Sequence, residues 1–132
     1  MILFDTDICV EILRGNRRLV EQRRGYDELV AVSFMTVAEL YYGVYKSTNV
    51  TNNRSVVEEF LVTVEVIESD VLIERRFGAI KADLTRRGAT VADADLLIAA
   101  TAMERCTFLV TGNVGHFNRI DGLEMRNWRS TN

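Results

Sequence analysis

The sequence predicts an α/β fold, a mostly parallel central sheet with helices on both faces, and three observations carry that prediction. Short apolar runs of strand length, such as Ile2-Leu3-Phe4, Leu29-Val30-Ala31-Val32 and Phe108-Leu109-Val110, are separated by longer segments with apolar residues at helical spacing. Strands and helices alternate along the whole chain, which implies crossover connections and parallel pairing. Polar residues follow directly on the ends of the apolar runs, as in sheets that bind ligands at the carboxyl edge of their strands.

Taken in order, residues 2–4 read as a buried strand ending at Asp5, and Asp5-Thr6-Asp7 opens a helix carrying Ile8, Ile12 and Leu13, stopped by Gly15-Asn16. An Arg-rich helix over about 17–24 ends near Gly25, and 29–33 is the next strand. Thr36 and Glu39 fit a capping box that starts a helix reaching about Lys46. Asn52 to about Thr63 forms a further helix, and 64–67 alternates as a strand. Asp70 to Arg87 has Val71, Ile73, Phe77, Ile80 and Leu84 on one face, with Gly88 closing the helix. Ala89-Thr90-Val91 reads as a short extended piece that delivers Asp93 and Asp95 to a buried helix ending about Arg105. Residues 107–110 form the last core strand, Thr111-Gly112-Asn113 a polar turn, 114–117 a short helix, and 123–125 an edge strand, with Trp128 covering part of the core.

The 132 residues suit one domain, 1–132, with a single core. The start Met1-Ile2-Leu3-Phe4-Asp5 lacks a secretory signal, and no apolar run reaches membrane-spanning length, so a cytoplasmic protein with no membrane partner is expected. Cys9 and Cys106 are not in a metal-type or redox-type pair and read as reduced core residues. The net charge of −3 argues against a chain that holds nucleic acid by overall charge. Fourteen of the sixteen basic residues are Arg, clustered at 14–24 and 75–87, a residue type that takes phosphate or carboxylate bidentately, although mixed Arg/Glu helices are commonly just solvated faces.

Asp93 and Asp95 precede the apolar run Leu96-Leu97-Ile98-Ala99-Ala100. One Asp at a helix start is explained by capping and by the helix dipole; a second, two residues on, asks for a compensating partner. Asp5, Asp7, Glu39, Asp93, Asp95, Thr111 and Asn113 are all expected at the carboxyl edge of the sheet. Carboxylates gathered there repel one another unless something positive sits among them. Hard oxygen donors suit Mg²⁺ or Mn²⁺, and His116 is the only histidine, so a zinc cluster is not expected. Such a metal site serves phosphoryl chemistry with water as nucleophile, and no Ser–His or Cys–His pair is evident.

Leu3-Phe4-Asp5-Thr6-Asp7-Ile8, Ser33-Phe34-Met35-Thr36-Val37-Ala38-Glu39-Leu40 with Tyr42-Gly43, Asp95 through Ala100, Leu109-Val110-Thr111-Gly112-Asn113 with His116-Phe117, Gly122-Leu123 and Asn127-Trp128 follow one another over nearly the full chain. In this order they resemble the PIN-domain ribonucleases, most closely the VapC toxins of bacterial and archaeal toxin–antitoxin pairs. The resemblance implies a PIN-like three-layer sandwich and a metal-dependent endoribonuclease. It implies Asp5, Glu39 and Asp95 as catalytic metal-binding acids, Asn113 as a polar fourth member, and Asp93 or Asp7 as candidate supporting ligands. It also implies an RNA substrate, a homodimer, and a VapB-type antitoxin whose tail enters the active groove. Asp7 stands where many relatives carry Asn, and His116 where some carry a further acid, which leaves one or two metals open.

Two other readings compete. Ile2-Leu3-Phe4-Asp5-Thr6-Asp7 also looks like the nucleophile motif of haloacid-dehalogenase-type phosphatases, with Asp5 as nucleophile, but Cys9 departs from that pattern and the family's downstream Lys motif is not visible ahead of Asp93. A catalytically inactive domain that binds RNA or protein would be expected to lack one of the three core acids, and all three are present.

Overall fold

The computed structural model describes residues 1–129. Its sheet has five strands in the order β3-β2-β1-β4-β5, every neighbouring pair parallel: β1 (Ile2–Phe4), β2 (Val30–Ser33), β3 (Glu65–Ile67), β4 (Leu109–Val110) and β5 (Met125–Arg126). Seven helices accompany them among the described residues: α1 (Thr6–Leu13), α2 (Arg17–Arg24), α3 (Phe34–Tyr45), α4 (Val50–Val62), α5 (Val71–Arg86), α6 (Asp93–Arg105) and α7 (Val114–Phe117).

Strand alternation divides the core into two halves. Ile2, Phe4, Val30, Val32, Phe108 and Val110 point to one face, where α1 to α4 cover them. Leu3, Ala31 and Leu109 point to the other, against α5, α6 and α7. The expected three-layer sandwich with a parallel sheet is therefore the observed one. No helix among the described residues is long and apolar enough to cross a membrane.

Strict strand–helix alternation does not hold. Residues 89–91 form no strand; α5 passes directly to α6 through a turn in which Gly88 takes φ +69°, and the two helices pack along each other. Leu29 stays outside β2 at 65 % exposure, and β3 is an exposed edge rather than an alternating half-buried strand. The last strand lies at 125–126, slightly later than expected, again at an edge.

Two capping expectations are also corrected. Helix α3 begins at Phe34, with Ser33 Oγ accepting from the Met35 N–H at 3.0 Å, so Thr36 is not the cap and Glu39 does not close a capping box. A hydroxyl at the end of a strand that flows straight into the helix meets the free N–H groups before Thr36 can. Helix α6 starts from Ala92 with no side-chain cap, so neither Asp93 nor Asp95 has that role. Ser33→Ala is expected to lower the unfolding free energy by about 1 kcal/mol in chemical denaturation; an unchanged value would return the cap to Thr36.

Candidate active site

The strand order runs outward from β1 through β2 to β3, then returns to the other side of β1 at β4. The crevice above the carboxyl ends at such a reversal is where open α/β sheets place ligands. A pocket of about 470 Å³ opens there, lined by Asp5, Thr6, Asp7, Val10, Glu11, Arg14, Glu39, Asp95, Asn113 and Arg129.

Asp5 is the fixed point. It follows β1 directly, its N–H bonds the Val110 carbonyl at 2.9 Å, and it caps α1, Oδ1 accepting the Thr6 N–H at 2.8 Å. Oδ2 accepts from the Thr111 hydroxyl at 2.8 Å, and that hydroxyl in turn accepts the Asn113 N–H at 2.9 Å. Burial pushes the carboxyl up from 3.8 to about 7, the charge of Asp7 adds to the rise, and the bonds from Thr111 and Thr6 oppose it.

Glu39 comes from the middle of α3, and its Oε1 accepts from the Thr6 hydroxyl at 2.7 Å. Thr6 has one hydroxyl proton, so the 3.0 Å contact between the Thr6 and Thr36 hydroxyls has Thr36 as donor. The residue read as a cap thus orients the threonine that orients Glu39.

Asp95 sits in the first turn of α6 and its Oδ2 lies 2.7 Å from His116 Nε2. Asp7 Oδ2 accepts the Gly112 N–H at 2.9 Å and has the Arg129 guanidinium 3.6 Å away, while Oδ1 is buried without a hydrogen-bond partner among the described residues. The structure thus brings Asp5, Asp7, Glu39, Asp95 and Asn113 to one cavity. Asp93 is not among its lining residues: its Oδ1 pairs with Lys81 Nζ at 2.9 Å on an exposed surface. The position is a consequence of helix geometry, since residues two apart point about 200° apart around the axis.

A hard cation fits this donor set. The carboxyl and amide side chains lining the pocket offer oxygens, one buried carboxylate oxygen is orphaned among the described residues, and the burial and repulsion that raise Asp5 are what a cation would offset. The ligands are not assembled as they stand: among the described residues no three His, Cys, Asp or Glu side chains form a group able to hold an ion. Thr6 bonds one oxygen of Glu39 and His116 one oxygen of Asp95, so each carboxylate keeps a second oxygen for an ion, which would have to draw the side chains together.

Sequence reasoning missed three contributors. Thr6 and His116 stand within the motif fragments, but nothing local says which carboxylate each meets. Arg129 has no sequence signal at all. The Arg clusters, by contrast, are largely structural: Arg18 donates to the Trp128 and Arg129 carbonyls, Arg23 to Thr63 O, Arg76 to Glu104, and Arg87 to Asp83 and Arg119 O.

A PIN domain family model matches residues 2–123. The chain is 32 % identical over 127 residues to the tRNA(fMet)-specific endonuclease VapC of Shigella flexneri and 33 % over 129 residues to ribonuclease VapC2 of Haemophilus influenzae, with 96 % of each chain covered in both cases. Among solved structures it resembles VapBC2 of Rickettsia felis bound to promoter DNA, with TM-score 0.90 at 32 % identity over 97 % of this chain and 99 % of the other. It also resembles DNA-bound VapBC of Salmonella typhimurium, with TM-score 0.91 at 31 % identity over 96 % and 97 %.

Proposed function

The chain belongs to the PIN domain family, and from that premise we propose that it is an endoribonuclease, the toxin of a VapBC-type pair, working with Mg²⁺ or Mn²⁺. The observation that carries the chemistry is the convergence of Asp5, Asp7, Glu39 and Asp95 on one pocket at the carboxyl ends of β1, β2 and β4.

Asp5, Glu39 and Asp95 would hold the metal, with Asp7 in support and Asn113 as a neutral polar member facing the substrate. A divalent ion there supplies charge for the phosphate oxygens and lowers the pKa of water. The protein's own groups do the rest. The Thr111 hydroxyl and the α1 N-terminus keep the Asp5 carboxylate aimed into the pocket. Thr6 fixes Glu39 Oε1, which leaves Oε2 as the oxygen that would meet the metal. His116 fixes Asp95 Oδ2, which leaves Oδ1 as the oxygen that would meet the metal.

An apolar groove of about 670 Å³, lined among others by Val10, Leu13, Met35, Leu40 and Val57, shares Thr6, Arg14 and Glu39 with the acidic pocket. It supports a VapB-type antitoxin whose segment lies in the groove and reaches the acids. Val62, Val66, Val71 and Leu72, exposed beside the open β3 edge, fit a second copy of the chain in a homodimer. An RNA substrate and two unpaired cysteines suit action in the cytoplasm.

The test is RNA cleavage by metal-stripped protein, with tRNA(fMet) as the first substrate because a relative's name specifies it. Cleavage is expected only after Mg²⁺ or Mn²⁺ is added, and to stop with EDTA. Activity that survives chelation would remove the metal, and no cleavage with either ion would favour the inactive binding domain.

A further inference from the structure

We propose that Arg129 is a substrate-contacting residue whose guanidinium takes an RNA backbone phosphate at the mouth of the acidic pocket. The inference rests on the ribonuclease reading and adds a residue to it.

A pocket lined by Asp5, Asp7, Glu11, Glu39 and Asp95 repels the polyanion it has to admit. Among the described residues its lining cations are Arg14 and Arg129. Arg129 stands on a backbone that other side chains hold. Arg18, from α2, donates Nη1 to the Trp128 carbonyl at 2.5 Å and Nη2 to the Arg129 carbonyl at 2.6 Å, and the Arg129 N–H bonds Asn127 Oδ1 at 3.0 Å. Trp128 is buried against Phe4, ring centroids 5.3 Å apart, and Tyr26 at 5.4 Å. The backbone beneath Arg129 is therefore fixed to the core.

Its side chain has a made path into the pocket. The stem lies across Gly112 so closely that a Cβ there would overlap Arg129 Cδ and come within 3.0 Å of Cγ. Glycine at 112 is what lets the arginine lie flat. The head arrives 3.6 Å from Asp7 Oδ2, too far for a hydrogen bond, and that oxygen already accepts the Gly112 N–H. The Arg129 side chain is 45 % exposed. Asp7 thus holds the charge in place without using its donors, unlike Arg18, Arg23, Arg76 and Arg87, whose N–H groups are committed to carbonyls and carboxylates. A planar donor fork on a fixed base beside an acidic site is suited to bidentate capture of a phosphate.

The experiment measures KM and kcat for RNA cleavage by the wild type, Arg129→Ala, Arg129→Lys and a control, Arg75→Ala, from an exposed surface lined by Leu72, Arg76, Ala79 and Glu104. Affinity for the same RNA is measured across a salt series in an Asp5→Asn background. Arg129→Ala is expected to raise KM about tenfold or more, with a smaller change in kcat, as loss of a charged hydrogen bond implies. Its salt slope should fall by about 0.7, one phosphate contact to a single strand. Arg129→Lys should keep the slope while losing part of the affinity, and Arg75→Ala should match the wild type. Wild-type KM and slope in Arg129→Ala overturn the proposal and leave the nuclease reading intact, as does a change confined to kcat or melting temperature. A wild type that cleaves no RNA overturns that reading, while the binding series still decides the phosphate contact.

Discussion

Asp5→Asn is expected to reduce RNA cleavage to background and, in metal-free protein near neutral pH, to make the fold more stable than the wild type. The carboxyl titrates near 3.8 in an ordinary setting and near 7 here, raised first by burial and then by Asp7. The folded chain therefore binds this proton more tightly than the unfolded chain does. Stability of the metal-free wild type must then fall as pH rises from about 4 to about 7, and the full penalty persists above that. At 1.36 kcal/mol per pH unit of difference, the penalty reaches up to about 4 kcal/mol. Asparagine removes the ionisation. It keeps the oxygen that accepts the Thr6 N–H, and Thr111 Oγ1 can turn a lone pair to the new amide. Thermal melts in chelator at about pH 4 and about pH 8 check this: the mutant's advantage should be small at the acid end and large at the alkaline end. Saturating Mg²⁺ should raise the wild type and leave the mutant unmoved, because only the former gains the ligand's binding energy. A mutant less stable at both pH values would mean that Asp5 is held by its hydrogen bonds more than it is strained by burial.

The same balance explains what could be read from the chain and what could not. Asp5 was legible because the signal is local: an apolar run ends on an acid, and a buried strand must deliver its carboxyl end to the sheet edge. Glu39 was found, but with a competing role as N3 of a capping box, since Ser33 and Thr36 lie within one turn and only the strand's register shows which meets the free N–H groups. Only the resemblance separates Asp95 from Asp93, because the rotation of α6 is set by Leu96, Ile98, Ala99 and Ala100 packing under the sheet and by Lys81 on α5 drawing Asp93 outward. Ala89-Thr90-Val91 reads as extended and stays outside the sheet, serving only as the connection between α5 and α6. Long-range partners left no trace. Arg18 and Trp128 are separated by 110 residues, and no spacing rule links them.

Trp128→Ala is expected to cost about 3–5 kcal/mol of unfolding free energy, the range for emptying a buried aromatic site, and to lower the melting temperature by roughly 10–20 °C in a chain of this size. Trp128 is 5 % exposed although it stands beyond the last strand, and its ring meets the Phe4 edge and Tyr26 on the face covered by α1 to α4. Phe4 is the residue before Asp5, so the cavity would open directly beneath the strand end that carries the central acid. Two effects should then separate. Trp128→Phe refills most of the volume and should recover most of the stability, because packing and not the indole N–H is what the site uses. At a temperature where Trp128→Ala remains folded, KM should rise as it does for Arg129→Ala, since the carbonyl that Arg18 grips belongs to residue 128 and loosening it frees the base of Arg129. A stability loss below about 1 kcal/mol would place the C-terminal turn outside the cooperative core. Arg129 would then lack the rigid footing that distinguishes it from an ordinary surface arginine.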